Sequence, residues 1–264
     1  MKIKLLSVLA FASVMAVSCQ ETKENEGETD TAMQDNSGIT MERLEGSAQY
    51  DGASLALESP TNTNVKAAGE VDFAFKVGDY ELGTQTDSPV KSMLANSDKG
   101  QHIHFILDND PYSAHYEPGF KKEIPAGTHY VVAFLSRSYH ESVKNANSFV
   151  AKKMVVGDAG MDDKDVDLDK PTLIYSRPKG EYSGADTENL LLDFFLLNTT
   201  LSESGNKVRA TINGKEFMIT EWAPQVIKGL PKGEVTVKLE LLDGDGNLIP
   251  GGFNEVTRTV TLTE

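Results

Sequence analysis

All five histidines of the 264-residue chain lie between Gly100 and His140. The ordinary pKa of histidine, about 6.5, lies close to neutrality, and the imidazole ring is also the commonest metal ligand in proteins. His102 and His104 form a His-x-His pair, and His129 opens a later strand-like segment. Two imidazoles on one strand with a third from a neighbouring segment, His129 or His140, predict a site for Zn or Cu(II).

The same region supports a second interpretation, in which it recognises an anion or a polar peptide. Imidazole and guanidinium groups donate hydrogen bonds to anions, and tyrosine rings offer flat faces for cations and peptide groups. The predicted ligand-binding residues are His102, His104, Tyr112, His115, Arg137 and His140. A third interpretation gives the histidines no specific role beyond a solvated sheet face or a contact with a second domain.

Strand alternation places Ile103 and Phe105 on one face and His102 and His104 on the other. Ile106 shares the face of the histidines although it is apolar. Two apolar residues of the next long strand-like segment, Val132 and Phe134, also fall on the nominally outward face. This pattern indicates that something covers the face, and a second domain of the same chain is the simplest cover.

From residue 55 onwards, short runs of alternating apolar and polar residues are separated by Gly, Pro, Asn and Asp. Alternation with a period of two over four to eight residues is typical of half-buried β-strands. No segment has a convincing helical period, so the predicted class is all-β. The acidic stretch from Gly157 to Asp169 interrupts the pattern and marks a boundary between two domains.

The two halves of the chain resemble copies of one unit. Residues 100–108 align with 205–213, and residues 124–131 align with 230–237. Gly and Pro residues at matching spacing in the two halves predict two tandem Ig-like antiparallel β-sandwich domains. Lys207 and Arg209 occupy the positions of the two histidines in the second copy. The second copy needs no histidine to make the same fold, which weakens a purely structural role for the cluster.

The N-terminus predicts export. Two lysines precede an apolar run that is too short to span a membrane, and residues 1–18 have the anatomy of a signal peptide. The segment Ala16–Cys19 resembles the lipobox of bacterial lipoproteins. That resemblance implies cleavage before Cys19, a diacylglycerol on its sulfur and usually an acyl chain such as palmitate on its amine. Cys19 is the only cysteine, so no disulfide or thiolate metal site is expected.

The predicted organisation follows the chain in order. Its parts are a signal peptide (1–18), an acidic disordered tether (19–50), a His-rich sandwich (51–157), an acidic linker (158–170) and a second sandwich (171–264). The tether has too few large apolar side chains to bury a core. The net charge of −15 argues against nucleic acid as a partner. The expected location is the bacterial cell envelope, anchored by lipid to the outer membrane.

The segment from Gly100 to His140 also resembles uncharacterised bacterial lipoproteins and secreted β-sandwich proteins that carry a histidine-containing strand and a later Gly-x-His element. Some of these carry an automatic label of phosphopeptide-binding protein. The resemblance covers the first domain and implies binding rather than catalysis. No nucleophile elbow, phosphate loop, His-Glu-x-x-His motif or dinucleotide fingerprint is present, so no enzyme activity is expected.

The sequence therefore predicts a non-enzymatic, lipid-anchored envelope protein whose first domain carries a His/Tyr/Arg recognition patch for an anionic or peptide ligand. The alternative is a periplasmic metal-binding or carrier protein that uses the first-domain histidines to hold Zn or Cu. A third possibility is an adhesion or assembly component that binds another envelope protein.

Overall fold

The computed structural model describes residue 36, residues 38–158 and residues 164–264. Over these residues the chain forms seventeen β-strands and two short 3-10 helices, and it contains no α-helix. The signal peptide, Cys19 with the first part of the tether, and positions 159–163 of the linker lie outside the described residues. No helix in the described ranges is long and apolar enough to cross a membrane.

The first sandwich contains eight strands and one 3-10 helix. They are β2 (Ser54–Ser59), β3 (Asn64–Val65), β4 (Gly69–Gly78), the helix Pro89–Ser92, β5 (His102–Leu107), β6 (Ser113–His115), β7 (Gly119–Ile124), β8 (Gly127–Ser136) and β9 (Phe149–Val156). The smaller sheet has the order β2-β4-β7 and the larger sheet has the order β3-β9-β8-β5-β6. Alternate residues such as Phe73, Phe75, Ile103 and Phe105 point inward and form the core between the sheets.

The second sandwich repeats this arrangement. Its elements are β10 (Thr172–Arg177), β11 (Glu181–Ser183), the 3-10 helix Gly184–Thr187, β12 (Leu190–Leu197), β13 (Lys207–Ile212), β14 (Lys215–Ile219), β15 (Gln225–Lys228), β16 (Gly233–Leu242) and β17 (Glu255–Thr263). Strands β12, β10 and β15 form the smaller sheet, and the larger sheet has the order β11-β17-β16-β13-β14. Leu192, Phe194 and Leu196 of β12 point into its core.

The two sandwiches share details that go beyond strand order. In each, the second short strand pairs in parallel with the last strand, as β3 pairs with β9 and β11 with β17. Each first strand also breaks register at its end, between Leu57 and Ser59 in one copy and between Tyr175 and Arg177 in the other. The prediction of two tandem antiparallel β-sandwiches is confirmed.

The segment before the first sandwich departs from the sequence-based expectation. Thr40–Arg43, which the sequence analysis assigned to the tether, forms strand β1. It pairs antiparallel with Gln225–Lys228 of the second sandwich. Ile39 is fully buried in the second core, and Met41 packs against the same core, so this segment has apolar side chains to bury. Residues that precede the first domain in sequence thus complete the second.

The sandwiches pack against each other through a shared apolar cluster. It combines Ile106, Val132 and Phe134 of the first larger sheet with Phe195 and Leu197 of the second smaller sheet. The rings of Phe134 and Phe195 stack with centroids 4.9 Å apart. The described part of the linker adds to this cluster, because Val166 and Leu168 pack against it. The second domain therefore covers the apolar outward face that the sequence indicated.

Polar contacts fix the packing of the two sandwiches. Asp193 is fully buried and accepts hydrogen bonds from the backbone N–H and hydroxyl of Ser142, and it forms an ion pair with Lys144. At the other end of the interface, the Asn109 side chain accepts a hydrogen bond from the Tyr175 N–H at 2.8 Å. Buried polar groups with well-placed partners favour one arrangement over slipped alternatives.

Candidate metal centre between the sandwiches

Strand β5 positions the first two side chains of the site. His102 and His104 lie on the face of β5 that points away from the first core, and both are completely buried because the second sandwich covers that face. Their Nε2 atoms approach to 2.9 Å. This side-by-side placement follows from strand geometry, because residues two apart on a strand project from the same face.

The third side chain, His140, comes from the turn that follows β8. The His140 N–H donates to the Arg137 carbonyl at 2.9 Å, and the backbone at His140 has a φ of 69°. This left-handed conformation is unfavourable for a residue with a Cβ, and glycine or asparagine adopts it at lower cost. It directs the His140 ring inward, where Nδ1 lies 3.1 Å from His102 Nε2.

One ring nitrogen from each of the three histidines lies within 4.8 Å of the others, which makes them a candidate metal-binding group. Two nitrogens bound to a tetrahedral Zn ion at about 2.0–2.1 Å lie about 3.3 Å apart. The 2.9 Å and 3.1 Å separations are close to that spacing. Only small ring movements would be needed to place an ion between the three nitrogens.

The hydrogen bond of His102 determines which of its nitrogens is free. His102 Nδ1 lies 2.8 Å from the Gly100 carbonyl oxygen, which can only accept, so Nδ1 carries the proton. The Nε2 lone pair of the neutral ring then points at the other two histidines. A backbone carbonyl that fixes the tautomer in this way is the usual outer partner of a metal-binding histidine.

Burial keeps the three rings neutral. Desolvation lowers the pKa of His102 to about 4, and it also lowers the pKa values of His104 and His140 well below 6.5. The nearby guanidinium of Arg177 acts in the same direction on all three. Neutral imidazole is the form that binds a metal, so the cluster is in its binding form at neutral pH.

Two hydroxyl groups contact rings of the cluster. The Tyr112 ring stacks on the His104 ring with centroids 3.4 Å apart, and its hydroxyl lies 3.2 Å from His140 Nδ1. Ser176 of the second sandwich places its hydroxyl 3.2 Å from His104 Nδ1. These contacts orient the rings, and they make the second sandwich a part of the site.

Two cations of the second sandwich, neither of them predicted from the sequence, also approach the cluster. Arg177 ends β10, and its Nη1 donates to the Tyr182 hydroxyl at 2.8 Å. The Lys179 ammonium lies 4.0 Å from the centroid of the Tyr112 ring and donates to the Tyr112 carbonyl at 2.7 Å. A comparison of the repeats could have indicated Arg177, because the equivalent position in the first copy is Ser59.

His129 does not belong to the cluster, although the sequence analysis named it as a metal ligand. His129 Nδ1 lies 2.7 Å from a carboxylate oxygen of Asp108, and Nε2 lies 3.1 Å from the Pro125 carbonyl. Both ring nitrogens are therefore engaged by acceptors away from the other histidines. The structure brings His140 to the His102 and His104 pair instead, which was the other third ligand considered.

Two residues of the predicted recognition patch also lie apart from the cluster. The His115 ring stacks on Phe120 with centroids 3.3 Å apart, and its Nε2 lies 2.9 Å from the Ser113 hydroxyl. Arg137 is buried, donates from Nε to the Ala48 carbonyl at 2.8 Å and pairs with Glu141 at 3.1 Å. Of the six predicted residues, the structure brings together His102, His104, Tyr112 and His140.

Comparison with known proteins supports no assignment to a family. No protein-family model matches the chain, and no curated protein matches it either. The structural comparisons find solved structures that include fibronectin-III modules. The chain is similar to the fibronectin(III)-like modules of CbhA from Clostridium thermocellum, at 13% identity over 79% of this chain and 94% of that chain with a TM-score of 0.28.

Two further solved structures have similar values. One is the Bacteroides ovatus mixed-linkage glucan utilization locus protein SGBP-B in complex with a mixed-linkage heptasaccharide, at 13% identity over 80% of this chain and 70% of that chain, with a TM-score of 0.24. The other is the central fibronectin-III array of RIM-binding protein, at 12% identity over 80% and 69% with a TM-score of 0.25. Similarity at this level carries no information about the ligand.

Proposed function

We propose that this protein is a non-enzymatic, lipid-anchored protein of the bacterial cell envelope that binds one transition-metal ion, Zn or Cu(II), through His102, His104 and His140. The observation that carries the proposal is the convergence of three neutral imidazole nitrogens at one buried point. Neutral histidines with oriented tautomers are the ligand set that Zn and Cu(II) favour in proteins.

The packing of the site favours metal binding over a surface patch for peptides. His102, His104 and Tyr112 are buried between the sandwiches, and Arg137 is engaged by backbone carbonyls and Glu141. A peptide could not reach these groups without separating the domains. A single ion is far smaller than a peptide, and His140 is the one partly exposed member of the cluster.

The same packing favours binding over catalysis. A catalytic metal site keeps an open position for substrate beside its protein ligands. Here the covered face of β5 leaves two of the three histidines fully buried, which suits a carrier or a structural site. The proposal of a lipid anchor is based on the lipobox-like segment Ala16–Cys19 and its single cysteine.

The test is a metal titration of the whole chain with Cys19→Ser, a change that removes the sulfur to which the proposed lipid would be attached. We expect one equivalent of Zn or Cu(II) to bind more tightly than micromolar. His140→Asn should weaken binding by more than about tenfold, because it removes one ligand. Asparagine suits the left-handed backbone at this position, so the variant should unfold at the same temperature or slightly higher.

His115→Asn provides the matched control, because it removes a histidine of the same domain that lies outside the cluster. Its metal affinity should equal that of the parent protein. The proposal fails if neither metal binds more tightly than micromolar, or if the two substitutions weaken binding equally.

A further inference from the structure

Arg177 is a buried cation that pairs with no carboxylate among the residues that the structure describes. Its side chain lies in the interface at 7% exposure, and its Nε has no hydrogen-bond partner among the described residues. Its nearest polar partners are the neutral hydroxyls of Tyr112 and Tyr182. A buried guanidinium is costly unless it is paired, and Arg side chains in proteins usually face carboxylates or phosphates.

Lys179 adds a second positive charge to the same place. Both cations lie against the Tyr112 ring, with the Arg177 guanidinium carbon 5.3 Å and the Lys179 ammonium 4.0 Å from its centroid. Neither residue forms a salt bridge within the described part of the chain. The Tyr112 ring also stacks on His104, so the cations and the histidines share one aromatic partner.

A divalent metal held by three neutral histidines would increase this positive charge. The three ligands contribute no negative charge, and the two neighbouring cations would repel the ion. Metal binding by the protein side chains alone would therefore be weaker than the histidine geometry permits. One added anion would offset the charge of both the metal and the guanidinium.

We propose that a small free carboxylate or hydrogencarbonate ion binds at the Arg177 Nε edge and completes the metal site. The inference rests on the proposed metal function. One oxygen would accept hydrogen bonds from the guanidinium, and the other would approach the metal beside Tyr112 and His140. Arginine presents a planar fork that fits a two-oxygen anion, and the burial of Arg177 excludes a peptide unless the sandwiches separate.

The direct test compares Zn affinity of the Cys19→Ser protein in sodium acetate and in sodium perchlorate at equal pH and ionic strength. Acetate offers two oxygens, whereas perchlorate binds metals and arginine poorly. We expect Zn to bind about tenfold more tightly in acetate, after correction for the weak binding of Zn by acetate itself. By thermodynamic linkage, acetate should bind the Zn-loaded protein more tightly than the metal-free protein, by the same factor.

Arg177→Gln separates this role from a structural one. In perchlorate it should bind Zn more tightly than the parent, because a like charge has been removed, and acetate should no longer improve its affinity. A residue that merely supported the fold would lower Zn affinity in both salts. Lys179→Gln is the second variant, since its side chain is only half-buried and its loss should not prevent folding.

Lys179→Gln should change Zn affinity in the same direction as Arg177→Gln but by less. The inference is overturned if Zn binds the parent equally in the two salts, or if both variants keep the full acetate effect. The absence of Zn binding in either salt would instead contradict the proposed metal function. The two failures are therefore distinguishable in one set of titrations.

Discussion

The two sandwiches have the same topology but bury different outer faces. In the first sandwich the larger sheet is covered, and in the second the smaller sheet is covered, so the contact is head-to-tail. His104 and Phe134 pair across β5 and β8 inside the interface. The equivalent pair of the second sandwich, Arg209 and Glu240, forms an ion pair at 2.8 Å on the uncovered face.

The smaller sheets show the converse pattern. Asp193 and Phe195 of β12 are fully buried against the first sandwich. The strand registers give their equivalents as Ala74 and Lys76 of β4, neither of which is buried. At equivalent positions, whether a residue is apolar or charged thus depends on whether the other sandwich packs against that face, and not on the fold of the sandwich itself.

This contrast changes the meaning of the histidine enrichment. Absence of histidine from the second copy does not by itself imply function, because the equivalent face there meets solvent rather than another domain. An interface needs apolar residues such as Ile106 and Phe134 but no converging set of imidazole nitrogens. What points to a site is therefore the set of short distances among the ring nitrogens of His102, His104 and His140.

The largest expected effect comes from exchanging equivalent residues of the two smaller sheets. Phe195→Lys should lower the free energy of unfolding by about 4 kcal/mol or more, because it buries an unpaired charge and removes a ring that stacks on Phe134. The measurement is urea denaturation at neutral pH.

The reverse exchange, Lys76→Phe, is the matched control. Lys76 lies on the exposed face of the first smaller sheet, so its replacement should change the free energy of unfolding by less than about 0.5 kcal/mol. Equal losses of unfolding free energy for the two variants would contradict the prediction that only the second smaller sheet is packed against the other sandwich.

An intermediate effect is expected from pH in the metal-free protein. Burial lowers the pKa of His102 from 6.5 to about 4, so between these values the unfolded chain binds a proton that the folded chain does not. The contribution of His102 to the free energy of unfolding should therefore be constant above pH 6.5 and fall as the pH decreases towards 4. His102 alone contributes about 3 kcal/mol over this range.

The second sandwich should not contribute to this slope above pH 4.5. Hydrogen bonding to Arg209 lowers the pKa of Glu240 to about 2, so its stabilising effect is lost only below pH 4.5. Urea denaturation in the presence of a chelator, at a series of pH values from 7.5 to 4.5, measures the effect, and His102→Gln should reduce the slope. A flat profile in the parent protein would contradict it.

The smallest effect is expected from placing the His-x-His pair in the second sandwich. Lys207→His combined with Arg209→His should leave one equivalent of tightly bound Zn per chain, because no described part of the chain covers the equivalent face and the second sandwich has no further histidine. The free energy of unfolding should fall by about 1 to 2 kcal/mol, because Glu240 loses its ion pair with Arg209 but keeps the one with Lys238. A second tight equivalent would show that the pair alone makes the site.

The sequence was sufficient for the fold because alternation and turn residues are local signals, and they occur twice. The exception is β1, where an acidic, polar context conceals the alternating Ile39 and Met41. Its partner strand, Gln225–Lys228, lies about 180 residues further along the chain, so no local pattern could indicate the pairing.

The site was predictable only in part. His102 and His104 share a face because strands alternate, and that much follows from sequence. His140 depends on a turn with a left-handed residue, and Arg177 and Ser176 depend on the docking of the second sandwich. His129 has suitable spacing along its strand, but its partner Asp108 was not apparent before the fold was known.

The head-to-tail contact leaves one unmatched face at each end of the pair. Such a heterologous contact does not close on itself, so a third module could add at either end by the same geometry, and copies of the chain could in principle grow into filaments. Lys76 at one end, and Arg209, Lys238 and Glu240 at the other, place charges where the internal contact has aromatic and aliphatic residues. Adding a further module by the same contact would bury these charges, so they disfavour growth beyond two modules.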